Sequence, residues 1–267
     1  MTTPPRRRTR EETRELVIGA ALELVREHGL GVEPTTITYQ RVFDHLEATS
    51  GVRVTRASVH ERLWASQEEF QVEVLLQVSR METGLAAAAN VAAESIAASS
   101  ESHPLTRMRE LARLAPNAVL EVAAADPLFY SWVGYTLSLA KDSSTHVRTR
   151  DQLANRAASE YSETEVRGAE LVRGLADAIS VRPRSDLFGS SEEGYLLIAR
   201  LGLTLAEGAT VRMRFDKGEL PDVELNTGPD GEAQTWTAFA AGYWALLNTF
   251  LEVDPDVHPE AVATDPA

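Results

Sequence analysis

Three Ser/Thr-x-x-Glu pairs, Thr9 with Glu12, Ser66 with Glu69 and Ser190 with Glu193, each stand just ahead of apolar residues spaced three and four apart. A hydroxyl and a carboxylate at that spacing cap each other's backbone N–H groups at a helix start. The run behind each pair then lines one helical face. After Thr9 these are Val17, Ala20, Ala21, Leu24 and Val25, ended by Gly29, which predicts a helix over about 10–28. Tyr39, Val42, Phe43 and Leu46 predict a second helix near 38–49, closed by Gly51. A third starts at Thr55 or Arg56 with Val59 and Leu63 inward and runs about two and a half turns. Phe70, Val74, Val78, Met81 and Leu85 predict a long fourth helix continuing past Gly84.

Further along, Pro104 and the Asp126-Pro127 step open helices over about 104–124 and 127–140. Leu153, Ala157, Tyr161, Val172, Leu175 and Ile179 mark one over 145–179 that stops before Pro183. Leu197, Leu201 and Leu205 follow the third capping pair, and a final helix is expected near 233–251. No alternating strand pattern stands out, and Asp230-Gly231 falls in a polar segment, 215–232, read as a long loop. The expected fold is therefore all-α, with about nine helices.

Composition removes several functions. The chain has no cysteine, so disulfides, thiolate catalysis and Cys-based zinc sites are excluded. The histidines at 28, 45, 60, 103, 146 and 258 form no H-x-x-x-H pair, and neither a G-x-S-x-G nor a P-loop occurs. No enzymatic activity, metal or cofactor is expected. The first residues, MTTPPRRRTR, run into Glu11, Glu12 and Glu15 rather than an apolar stretch, and no run of ~20 apolar residues exists. A cytoplasmic protein with no membrane partner is expected.

The net charge of −14 argues against a nucleic-acid partner until its distribution is considered. Residues 1–80 hold 11 Arg and 12 acidic residues, a balance of −1, which leaves −13 on the remaining 187. Arg6, Arg7, Arg8 and Arg10 cluster in an N-terminal arm, and Arg53, Arg56 and Arg62 in a second stretch where phosphates can be met.

Three short helices followed by a long one are the skeleton of a helix-turn-helix unit, whose third helix reads the major groove. Gly51-Val52 stands at the turn, Thr55-Arg56-Ala57-Ser58-Val59-His60-Glu61-Arg62-Leu63 where the reading helix belongs, and Ser66-Gln67-Glu68-Glu69-Phe70 at the start of the fourth. In this order and chemistry the chain resembles the TetR family of bacterial transcriptional regulators. It departs from the family pattern in its letters: Ala57 replaces a Gly, Ser58 a Thr, His60 a Tyr, Arg62 a His and Gln67 a Lys. The turn is two residues longer, and one further residue precedes Ser66.

The resemblance implies a repressor that binds a palindromic site on double-stranded DNA as a homodimer and answers a small-molecule effector. It implies a basic arm at 1–9, a helix-turn-helix domain at 10–70, an effector and dimerisation domain at 71–252, and a disordered acidic tail at 253–267. Thr55, Arg56, Ser58 and His60 would then touch bases and backbone, with Arg62 and Arg53 near phosphates. Arg56 is best suited to guanine, since its fork can satisfy O6 and N7 together. Thr38, Tyr39 and Arg41 would meet the flanking backbone, although Tyr39 can equally serve as core. Gln67, standing where the family has a phosphate-binding lysine, keeps a donor and loses the charge.

For the effector, Phe129, Tyr130, Trp132 and Tyr135 form the densest central aromatic cluster, readable as pocket or as core. Arg109 and Arg113 can pair with an anionic effector or with the chain's own carboxylates. Leu197, Leu201, Trp236, Phe239, Tyr243, Trp244 and Leu247 form broad apolar faces suited to a dimer interface, or to burial within the subunit. A competing reading is a helical interaction protein on the same scaffold that has lost DNA binding.

Overall fold

The structure, a computed structural model, describes residues 8–29, 37–60, 62–78, 85–98, 103–125, 128, 131, 147–215, 219–228 and 231–257. It is predominantly helical. The chain divides into two compact units, one of residues 1–81 and 126–160, the other of 82–125 and 161–267.

In the first unit, α1 (Arg10–His28) begins with the full reciprocal cap. The Thr9 N–H donates to Glu12 Oε2 (2.7 Å) and the Glu12 N–H to Thr9 Oγ1 (3.1 Å). α2 (Tyr39–Ser50) is capped by Thr38 and ends at Gly51, whose φ of 65° and ψ of 12° lie in the left-handed region where a Cβ is penalised. Residues 52–55 then lead into α3 (Arg56–His60), and α4 spans Gln67–Val78. Val17, Ala21 and Val25 of α1 meet Val42, Phe43 and Leu46 of α2, Val59 of α3 and Phe70, Val74 and Val78 of α4 in one core. Each large side chain buried there contributes about 1.5–3 kcal/mol.

α3 is shorter than its spacing suggested. The N–H groups of Leu63 and Trp64 fold back onto the Val59 carbonyl (2.8 and 3.4 Å), which turns the chain after one and a half turns and drops Trp64 into the core. Its ring lies 4.9 Å from Phe70 in an edge-on contact, and Nε1 donates to Glu73 Oε2 at 2.6 Å. Glu73 also pairs with Arg14 of α1. Trp64 thus anchors the turn that leads into α4.

In the second unit, α5 (Leu85–Ala98) and α6 (Pro104–Ala125) pack on each other; α7 spans Val147–Ile179, of which residues from 161 on belong to this unit. The Arg107 guanidinium donates to the carbonyls of Ala178 and Ile179 (3.4 and 3.3 Å), occupying acceptors left open at the end of α7. Strand β1 (Val181–Pro183), α8 (Ser191–Phe215), β2 (Asp222–Asn226), β3 (Ala233–Thr237), α9 (Ala238–Phe250) and β4 (Leu251–Val253) complete it. α7 and α8 run antiparallel: Glu165 pairs with Arg200 at 2.8 Å, Arg173 with Glu192 at 3.1 Å, and a Cβ on Gly168 would sit 3.2 Å from that of Ala199.

The predominantly helical fold agrees with the all-α expectation, and short strands replace two of its local readings. β2 and β3 pair antiparallel with Val223 opposite Trp236 and Leu225 opposite Gln234, so the expected loop is a hairpin. Gly231, with φ of 79°, lies in its turn region. Trp236 belongs to β3, its Nε1 donating to Thr227 Oγ1 at 2.9 Å, and the last helix starts only at Ala238. Thr237 sets that start. Its hydroxyl accepts from the Ala240 N–H (3.1 Å) and donates to Asn117 Oδ1 on α6 (2.8 Å). β1 and β4 pair as Val181 with Val253 and Pro183 with Leu251, so Val253 is part of the fold rather than the first residue of a tail. The expected helix at 127–140, the extension of α4 through Gly84 and the tail from 258 lie largely or wholly outside the described residues.

Candidate functional site

Two features invite function, one in each unit. In the first, the turn from α2 into α3 presents a basic surface. Arg41, Arg53, Thr55, Arg56 and Arg62 are all exposed, while Val59 and Trp64 are buried. Arg53 Nε meets Glu47 Oε1 at 3.1 Å, but the two side chains are 80% and 52% exposed, so solvent screening leaves this pair weak and easily exchanged. Among the described residues neither Arg56 nor Arg62 has an ion-pair partner, so both guanidinium groups keep their donors for an external anion. Thr38 caps α2 by accepting from the Arg41 N–H at 3.3 Å. The side chains of Ser58 and His60 lie outside the described residues.

Tyr39 is a correction. It is 2% exposed, stacked on Phe43 and Phe70 with centroids at 5.8 and 4.9 Å, and its hydroxyl donates to the Ser66 carbonyl at 2.9 Å. Burial pushes its phenol up to about 12, the Glu69 carboxylate adding and Arg56 opposing. A side chain so enclosed braces the unit and meets no phosphate. Gln67 is turned partly inward too, its Oε1 accepting from the Tyr39 N–H at 3.4 Å.

In the second unit α6, α7, α8 and α9 line a partly open cavity of about 100 Å³. Met108 and Leu111 of α6, Val172 and Ala176 of α7, Gly202 of α8 and Tyr243 of α9 are among its walls. Every described lining side chain is apolar except that the Tyr243 ring carries a hydroxyl. Gly202 is required by that ring: a Cβ there would come within 2.7 Å of Tyr243 Cε2.

The expected effector contacts do not coincide with this cavity. Phe129, Tyr130, Trp132 and Tyr135 lie outside the described residues. Arg109 and Arg113 are on α6 but are not among the walls, and Arg113 is neutralised by Glu110 at 2.8 Å. Nothing in the sequence marked the actual walls as more than core, since an internal gap is a property of tertiary fit rather than of residue spacing.

The expected dimer face also divides. Trp236, Phe239 and Leu247 are 1%, 6% and 7% exposed within a single chain, which removes them from any surface. Tyr243 and Trp244 are half-buried and pack on the same core. Leu197 and Leu201 remain half-buried on α8, near Leu205 at 38% exposure, while Val166 of α7 is 49% exposed. No helix among the described residues is long and apolar enough to cross a membrane, and none of their His, Asp and Glu side chains gather in a group that could hold a metal. Compared with protein-family models and with curated proteins, the chain matches none.

Proposed function

We propose that this chain is a DNA-binding transcriptional regulator, a TetR-like repressor that works as a homodimer and answers a small apolar effector. The observation that carries the proposal is the surface around α3, where a left-handed glycine turn and two inward anchors, Val59 and Trp64, leave Arg56 and Arg62 exposed and unpaired among the described residues. That surface belongs to the near-neutral part of an otherwise acidic chain. Arg56 reads a base edge; Arg53, Arg62 and Arg41 meet phosphates.

The cavity of the second unit holds the effector, which acts through its differential affinity for a DNA-competent and a DNA-incompetent state. Dimerisation uses the partly exposed apolar side chains of α7 and α8, Val166, Leu201 and Leu205, in place of the terminal-helix residues buried in the core. A homodimeric helix-turn-helix reader binds two half-sites about one DNA turn, ~34 Å, apart, and so selects a palindrome.

The test is selection from random duplexes by the purified protein at two salt concentrations, with sequencing of the retained fraction. A palindrome is expected, with affinity falling about a thousandfold between 50 and 200 mM salt for six phosphate contacts in the dimer. The five-residue length of α3 favours one competing reading, an interaction protein that no longer reads DNA. Absence of any enriched sequence at low salt would establish that reading instead.

A further inference from the structure

The walls of the cavity carry no charged side chain among the described residues, so an ion placed there would lose its hydration and find no counter-charge. Its volume, about 100 Å³, is somewhat below the ~150 Å³ of engineered apolar cavities that accept benzene. A water molecule held inside needs two to four polar partners, and the described lining side chains offer one oxygen, Tyr243 Oη. Tyr243 is half-buried, and a hydroxyl so placed ordinarily finds a hydrogen-bond partner. Here none exists among the described residues, and burial alone raises the phenol to about 12, with no neighbouring charge or hydrogen bond contributing. The hydroxyl therefore stays protonated at neutral pH and keeps its proton to donate. Its ring is fixed against Gly202, which itself lines the cavity.

We propose that the cavity takes a compact, uncharged, largely hydrocarbon molecule bearing one hydrogen-bond acceptor, such as a ketone or ether oxygen, which the Tyr243 hydroxyl meets. This deepens, and rests on, the effector role given to the cavity above. The hydrocarbon body replaces empty space beside Leu111, Val172 and Ala176, and the single acceptor completes the one polar group that the protein leaves open. Tyr243 is thus the residue that distinguishes a ketone from a hydrocarbon of the same shape.

Two probes of matched shape test this directly, cyclohexanone and methylenecyclohexane, titrated into the full chain without DNA. Intermolecular NOEs from cyclohexanone to the methyl groups of Leu111 and Val172 would place it in the cavity. Tyr243→Phe removes only the hydroxyl, and its unfolding midpoint is checked against wild type. The expected result is a five- to tenfold weaker binding of cyclohexanone to the variant, the effect of about one neutral hydrogen bond, with methylenecyclohexane changed less than twofold. Equal changes for the two probes would overturn the acceptor assignment. So would tighter binding of cyclohexanecarboxylate than of cyclohexanone. Failure of both neutral probes to bind wild type at millimolar concentration would overturn the ligand class as a whole. Because no duplex is present, any of these failures leaves the DNA-reading proposal to stand or fall on the duplex selection alone.

Discussion

Leu111→Ala is the sharpest test of the cavity as a real void. Leu111 is 6% exposed and forms part of the cavity wall on α6. Truncation removes three carbons, a loss of about 2.4 kcal/mol at ~0.8 kcal/mol per buried carbon. Because one side of this residue already faces empty space, few atoms are placed to move into the gap. The void then grows by roughly 70 Å³, and at about 24 cal/mol per Å³ this adds ~1.7 kcal/mol. The expected destabilisation of the second unit is therefore about 4 kcal/mol, near the upper end for such substitutions. Urea unfolding followed by tryptophan fluorescence measures it, with the slope compared between variants so that a change in cooperativity is not mistaken for stability. Benzene at a hundred times its dissociation constant should return about 2.7 kcal/mol of the loss. A loss below about 1 kcal/mol, or no recovery with benzene, would refute the presence of unfilled space among α6 to α9.

Four further outcomes are expected. Trp64→Phe keeps an aromatic anchor but removes the bond from Nε1 to the Glu73 carboxylate, and chemical denaturation should register a loss of about 2 kcal/mol. Tyr39 holds its proton more tightly folded than unfolded, so its contribution is complete below pH ~10 and is lost as pH rises towards 12. By ~1.36 kcal/mol per unit this amounts to about 2.7 kcal/mol, and the alkaline unfolding curve of Tyr39→Phe should lack that fall. Burial raises the Glu207 carboxyl, with Glu165 adding and the Tyr161 hydrogen bond opposing, so its contribution is greatest in acid and declines as pH climbs above the unfolded value of ~4.3. Glu207→Gln should stabilise the protein at neutral pH and flatten that dependence in thermal melts. On the selected duplex, Arg56→Ala should cost about 1–3 kcal/mol and relax one base position, whereas Arg62→Ala should weaken all sequences alike and lower the salt slope by about 1; identical effects of the two would remove the assignment of base reading to Arg56.

What could be read from the chain follows from the range of each signal. Caps and apolar spacing are local, so α1, α2, α6 and α7 emerge close to their observed limits. Trp236, Phe239, Ala240 and Tyr243 fall at helical spacing, and that coincidence hid the strand under Trp236; the overlooked local sign was Thr237, a cap residue standing directly before the true start of α9. β2 does alternate, with Val223 and Leu225 half-buried between exposed neighbours, yet two apolar residues within an acidic, proline- and glycine-bearing stretch are too few to outweigh a loop. Of the basic surface, the exposure of Arg56 was legible because its charge stands at the start of α3, one turn ahead of the buried Val59. The place of Tyr39 was not, since the aromatic ring suits a core and the hydroxyl a phosphate, and only the Ser66 carbonyl decides between them. The cavity left no mark at all, because Met108, Leu111 and Val172 have the same pattern whether or not their tips touch.

The clasp between β1 and β4 joins residues about seventy positions apart, reinforced by Arg182, which reaches Glu252 at 3.2 Å, Asp254 at 3.5 Å and Asp256 at 3.2 Å. During synthesis β1 leaves the ribosome without its partner, and at roughly 5–20 residues per second it waits about 3–14 s for β4. Over that interval α8 and the walls of the cavity have no α9 to cover them. The apolar walls of the second unit thus stay uncovered until its last strand arrives, whereas α1 to α4, whose side chains share one core, have been made long before.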